Sequence, residues 1–254
     1  MIPKKIHYCW FGGNPMPELM QKCVSSWKQF CPEYEIVEWN ETNFDVNCCN
    51  YAKEAYEAKK WAFVSDYARF WIIYHQGGVY FDTDVEIIRP INDIVERGPF
   101  FGCEYGIPER LGEYCACVAP GLGLAAEAGD AVYRKILDEY EAKHFLRPDG
   151  ANDLTTVVKY TTDLLKPMGF SSSCKEIQNV AGIWIYPPEY FCPINYQTSQ
   201  LQIGKETRTI HHYTSSWHDR TLKGKIKKMT KNLLGPKLIQ LVLHLKRKIR
   251  KKEK

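Results

Sequence analysis

The stretch that decides the fold is Gly77-Gly78-Val79-Tyr80-Phe81-Asp82-Thr83-Asp84. Paired glycines can end a helix, because glycine adopts the left-handed backbone found at many helix C-termini. Val79, Tyr80 and Phe81 then read as the end of a buried strand. Asp82 and Asp84 follow at once, and in an extended chain residues i and i+2 share a face. Both carboxylates are therefore expected together at the carboxyl end of a strand, where open α/β sheets bind ligands. Two apposed carboxylates repel unless a cation or proton lies between them. A hard divalent ion, Mg²⁺ or Mn²⁺, shared with substrate phosphates suits that arrangement. The plainer alternative is a pair of loop aspartates beyond a strand.

Working outward, residues 51–76 have a helical pattern, expected in two pieces broken near Ser65, with Ser65 as the N-cap of the second. Asp66 and Arg69 then lie at i and i+3 on one helix face, as an ordinary ion pair or as ligand contacts. Residues 4–10 read as the first strand, with Trp10 at its end and a sharp loop at 11–15. A helical stripe of Leu19, Met20, Cys23, Val24, Trp27 and Phe30 precedes a second strand at 34–39. That strand–helix–strand opening suits a nucleotide-binding unit. Neither GxGxxG nor P-loop glycines occur, so a dinucleotide or ATP phosphate cradle is not supported. Downstream, strands are expected at 85–88, 99–103 and 182–187. Glu104 either reaches a cleft or sits in a loop. A strand and turn with glycines spans 116–124, and helices are expected at 130–143 and from about Gly150 onward.

The chain has 254 residues and a formal net charge of +4, enough for one large domain of ordinary soluble composition. The charge is unevenly spread. Residues 1–220 carry 21 basic and 29 acidic residues, whereas residues 221–254 carry 13 basic residues and one acidic. The division expected is a catalytic domain over 1–220 and a basic amphipathic helical tail over 221–254. Such a tail suits an anionic membrane surface, and no nucleic-acid recognition motif accompanies it. Residues 1–10 lack the apolar core of a secretory signal, and no stretch is apolar enough for a spanning helix. The ten cysteines include no CxxC, so structural zinc is not expected. Reduced thiols in a cytoplasmic protein are the expectation, peripheral on the membrane through the tail.

The combination Ser65-Asp66-Tyr67-Ala68-Arg69, Asp82-Thr83-Asp84 and His211 six residues before Trp217 resembles glycosyltransferase family 32. This is the DXD sugar-binding, capsular polysaccharide and mannosyltransferase type; glucosylating clostridial toxins are more distantly similar. The resemblance runs over residues 2–218. It implies a GT-A fold, a mixed Rossmann-like sheet flanked by helices in a single catalytic domain. It also implies a nucleotide-sugar donor, UDP-linked by preference, a glycan or lipid-linked acceptor, Mn²⁺ or Mg²⁺, and retention at the anomeric carbon. Carried over residue by residue, Asp82, Asp84 and His211 would hold the metal. Trp10 would take the base. Asp66 and Arg69 would contact the sugar and ribose, with Tyr80 and Asp82 beside them, and Trp217 would cover the diphosphate. Asp153, or Asn152 next to it, would stand beside the donor sugar on the acceptor side, or merely cap a helix. Where the family shows Gly-Pro, this chain has Gly150-Ala151. A DxD phosphatase is the competing enzyme reading, but it needs an acidic pair downstream and no Asp-Asp occurs. A membrane-surface protein that binds nucleotide-sugar without turnover is the reading from outside enzymology.

Overall fold

The computed structural model describes residues 1–106, 114–195 and 200–214. Trp217 and the basic tail lie outside them. The chain opens with β1 (Lys5–Cys9), α1 (Glu18–Phe30) and β2 (Glu35–Trp39), followed by α2 (Asn50–Glu57), α3 (Trp61–Gln76), β3 (Gly78–Tyr80) and β4 (Val85–Ile87). Next come α4 (Asn92–Arg97), β5 (Phe100–Tyr105), β6 (Ala116–Val118), β7 (Leu124–Ala126), α5 (Ala131–Glu141) and α6 (Val157–Leu165). The described chain ends with β8 (Gln178–Val180), β9 (Ile183–Tyr186), α7 (Pro188–Phe191), β10 (Ile194–Asn195), β11 (Gln200–Leu201) and β12 (Thr209–His211).

The main sheet runs β2-β1-β3-β7-β5-β9-β8, with β6 added against β5. It is mixed: β1 lies parallel to β2 and β3, while β7 is antiparallel to β3 and β5. Side chains alternate across a strand, and here the alternation divides the core. Val79 and Phe81 face the layer holding Trp27 of α1, whereas Tyr80 faces the layer holding α2, α3 and α5. Phe100 and Phe101 split the same way. The result is a mixed α/β sheet flanked by helices, as expected. Among the described residues no helix is long and apolar enough to cross a membrane.

The decisive stretch behaves largely as read. Gly77 caps α3 at φ +65°, and a Cβ there would meet the backbone nitrogen of Ala128 at 3.0 Å. Behind it His7 accepts at Nδ1 from the donor-only Trp39 indole (3.0 Å). Its Nε2–H therefore donates to the Gly77 carbonyl (3.0 Å), which ties the helix end to the first strand. Burial pushes the His7 imidazole down to about 4.

Two local expectations are corrected. The break between α2 and α3 falls at 58–60, where Lys59 takes φ +56°, and not near Ser65. Ser65 lies inside α3 and donates to the Trp61 carbonyl (3.1 Å). The helix sought from Gly150 starts only at Val157, capped by the Thr156 hydroxyl, which accepts from Lys159 N–H.

Candidate active site

Asp82 and Asp84 come together through a turn and not along an extended strand. Val85 N–H donates to the Asp82 carbonyl (3.0 Å), closing the turn, and Asp82 N–H donates to the Gly121 carbonyl (2.9 Å). The chain then enters β4, which pairs antiparallel with β12 so that Val85 stands opposite His211. That pairing carries a residue from 127 positions away to Asp84: His211 Nε2 lies 3.0 Å from Asp84 Oδ1. The other carboxylate oxygen accepts from Thr214 N–H (2.9 Å) and the Thr214 hydroxyl (2.8 Å).

One ligand atom each from Asp82, Asp84 and His211 lies within 4.8 Å of the others, close enough to share one ion. Two carboxylates and an imidazole make a donor set suited to Mn²⁺-like ions. The electrostatics agree. Burial alone would raise the Asp84 carboxyl, but the His211 charge and the Thr214 donors hold it well below the usual carboxylate range. Burial opposes a charge on His211, and Asp84 outweighs it and raises the imidazole. His211 Nδ1 is buried with no hydrogen-bond partner among the described residues. The neighbouring His212 instead meets Glu86 at 2.8 Å, as strand alternation requires.

Asp82 is also the link to α3. The Arg69 guanidinium bridges Asp66 (2.9 Å) and Asp82 (3.2 Å) from a side chain only 4% exposed. This is a buried network, not a surface i,i+3 pair. Burial pushes Asp66 up to about 7, against the pull of Arg69 and of the Val157 backbone N–H at the start of α6. Tyr80 is buried; its hydroxyl donates to Asp82 (3.1 Å) and Arg69 lies over its ring at 5.2 Å. Asp66, Arg69, Tyr80, Asp82, Asp84 and His211 are thus one connected assembly.

Two candidates stand apart from it. Asp153 lies outside the three-ligand cluster and accepts from Thr155 N–H and hydroxyl, Arg147 and the Tyr160 hydroxyl. Burial opposes its ionisation, yet those donors hold it at about 2. It ties the loop before α6 to Arg147 and to Tyr160 within the helix. Trp10, half-buried at the end of β1, donates its indole N–H to the Asn14 carbonyl (2.6 Å), which fixes the ring against the 11–15 loop.

Three further contributors had no assigned role in the sequence. Thr214 lies in the quoted C-terminal stretch, but nothing local marks its hydroxyl. Gly121 packs so tightly that a Cβ there would lie 2.0 Å from Asp82 Oδ2; only the glycine-bearing turn near a ligand was legible. Glu104, left open above, accepts from the Tyr213 hydroxyl (3.2 Å). Burial pushes its carboxyl up, against the pull of His211.

Residues 17–101 match the family described as glycosyltransferase sugar-binding region containing DXD motif. Two mannosyltransferases of Schizosaccharomyces pombe are similar. Inositol phosphoceramide mannosyltransferase 1 is 28% identical over 110 residues, 39% of this chain and 33% of the relative. Inositol phosphoceramide mannosyltransferase 3 is 28% identical over 102 residues, 37% of this chain and 27% of the relative. The chain thus spans about a third of the length of these curated relatives. Among solved structures, a glycosyltransferase involved in glycosylation of the major capsid of PBCV-1 aligns at TM-score 0.46 and 10% identity, over 90% of this chain and 99% of that one. The galactosyltransferase LgtC aligns at TM-score 0.44 and 13% identity, over 90% and 94%. The PaToxG glycosyltransferase aligns at TM-score 0.44 and 16% identity, over 65% and 69%. The matched segment contains Asp66, Arg69, Asp82 and Asp84. Residues 17–101 therefore carry a match to the DXD-containing sugar-binding region of glycosyltransferases, in line with the resemblance of the chain's motifs.

Proposed function

We propose that the chain is a metal-dependent, retaining glycosyltransferase of GT-A type. It would move a hexose from a nucleoside-diphosphate sugar to a glycan or lipid-linked acceptor in surface polysaccharide synthesis. The observation that carries the reading is the meeting of Asp82, Asp84 and His211 within 4.8 Å, with the Arg69–Asp66 pair fastened to Asp82.

Asp82, Asp84 and His211 would hold a divalent ion, Mn²⁺ or Mg²⁺, which would supply Lewis-acid neutralisation of a leaving diphosphate. The chain's own residues do the rest. Thr214 keeps Asp84 ionised and fixes its rotamer. Asp66 and Arg69 hold sugar hydroxyls so that the anomeric carbon meets the acceptor in one orientation. Trp10 offers its ring to the base. Trp217 lies a few residues beyond the described segment that pairs with β4, and its donor-only indole N–H suits a phosphate oxygen. Asp153 takes the acceptor side as an ionised, hydrogen-bonded carboxylate. With no free carboxylate assigned as nucleophile, retention fits attack of the acceptor hydroxyl on the face that the phosphate leaves.

UDP-hexoses are the preferred donors. The names of the two yeast relatives make a mannose donor and a lipid acceptor the second choice. The 13 basic residues of 221–254 support a peripheral place on the cytoplasmic face of an anionic membrane. Salt-sensitive binding to anionic vesicles, lost on deleting 222–254, tests that part.

Release of nucleoside diphosphate from UDP-hexoses and GDP-mannose, with and without Mn²⁺ and acceptor, tests the reading. Metal-dependent release supports it. Phosphate release from simple phosphomonoesters would favour the phosphatase, and binding without release a non-catalytic protein.

A further inference from the structure

Asp84 meets the His211 imidazole directly at 3.0 Å, and Glu104 reaches it through Tyr213, whose hydroxyl bonds the carboxylate and whose ring packs on the imidazole. Asp84 lies in the three-ligand cluster; Glu104 does not. For Nε2 to face a cation between Asp82 and Asp84, its lone pair must be free, so the ring proton sits on Nδ1. A buried N–H without an acceptor is costly, and metal-bound histidines regularly give this proton to a carboxylate, carbonyl or water. Here Nδ1 is buried and unpartnered among the described residues. Glu104, on β5, is the nearby carboxylate that the proposed metal site does not use. It is held in place, since the Tyr213 hydroxyl donates to its Oε2 (3.2 Å). The Tyr213 ring in turn packs edge-on against His211, with centroids 4.1 Å apart.

We propose that Glu104 is a positioning residue for His211. It fixes the imidazole plane through Tyr213. Through one bridging water it accepts the Nδ1 hydrogen bond, which sets the tautomer that presents Nε2 to the metal. The inference rests on the metal reading above.

The test is Mn²⁺ affinity of the full chain, read by electron paramagnetic resonance of the free ion. Wild type is compared with Glu104→Ala, Glu104→Gln, Tyr213→Phe, His211→Ala and the double variant His211→Ala/Glu104→Ala. Loss of such an outer partner costs about 10–100-fold in metal affinity, and that is the loss expected for Glu104→Ala. Gln, whose carbonyl can still accept, recovers most of it. In the His211→Ala background the Glu104 substitution costs nothing further, because Glu104 acts only through the imidazole. The nitrogen-15 spectrum of Mg²⁺-loaded wild type shows His211 protonated at Nδ1. Should Glu104→Ala fail to fold, Tyr213→Phe removes one hydroxyl and must show the same coupling to His211. Wild-type affinity in Glu104→Ala, or an equal loss with and without His211, overturns the proposal while the metal site stands. Failure of wild type to bind Mn²⁺ overturns both.

Discussion

Gly121→Ala is a single methyl aimed at the metal-ligand geometry. The added Cβ would lie 2.0 Å from Asp82 Oδ2, while ordinary contact begins at 3.4 Å, so the carboxylate must withdraw by about 1.4 Å. Metal–ligand distances hold to about 0.2 Å. A shift of that size also breaks the Tyr80 hydroxyl bond (3.1 Å) and the Arg69 contact (3.2 Å). A 1 Å misplacement costs on the order of 10²-fold in rate. We therefore expect turnover to fall by about that factor and Mn²⁺ affinity to fall with it. Gly121 does not use the left-handed backbone, so alanine adds no backbone strain, and thermal stability falls only by the loss of the Tyr80 and Arg69 contacts to Asp82. The assay pairs Mn²⁺ titration with nucleoside diphosphate release, using thermal unfolding as the control. A folded Gly121→Ala protein with wild-type affinity and turnover would refute the placement of Asp82.

Arg69→Ala strands two carboxylates, one of them buried. It should lower stability by about 3–5 kcal/mol in urea unfolding, and any folded fraction should lose nucleotide-sugar binding more than free UDP binding; equal loss of both would assign Arg69 to the nucleotide. Trp10→Ala should weaken nucleotide binding by about 1–3 kcal/mol if a stacked base is lost, and calorimetry with UDP that shows no change would return Trp10 to packing alone. His7 gives a pH dependence. Its folded pKa, about 4, lies below the unfolded value of about 6.5, so the unfolded state binds more protons between them. That contribution is complete above the unfolded value and is lost as pH falls toward the folded one, about 2 kcal/mol by about pH 5. Urea unfolding at about pH 8 and about pH 5 should show a loss that His7→Gln lacks; an equal loss in both proteins would place the acid sensitivity elsewhere.

What was legible in the sequence follows from range. Gly77, the strand at 79–81 and the first βαβ unit were readable because each is set by neighbours within one turn or strand. The α2–α3 boundary was not: nine of the 16 residues of α3 are buried, so apolar spacing marks no edge, and the break carries neither glycine nor proline. Ser65 and Gly150 offered conventional cap signals, but packing of α3 and the Thr156 hydroxyl decided otherwise. The meeting of His211 with Asp84 depends on β4–β12 pairing across more than a hundred residues, which no local period reports. Only the spacing of His211 to Trp217 pointed there. Gly121 and Glu104 needed the folded sheet, since their roles lie in what the turn and strand bring against Asp82 and Tyr213.

The central claim is that Asp82, Asp84 and His211 hold the ion on which sugar transfer depends. Its most direct measurement is nucleoside diphosphate release as a function of Mn²⁺, for wild type and Asp84→Asn side by side. The account predicts release in wild type that saturates with Mn²⁺ and stops with chelator. In Asp84→Asn, one charged ligand is gone and Thr214 has lost its carboxylate, so turnover falls at least about 10²-fold. Release that continues in chelator, or an Asp84→Asn enzyme with wild-type turnover, would contradict it.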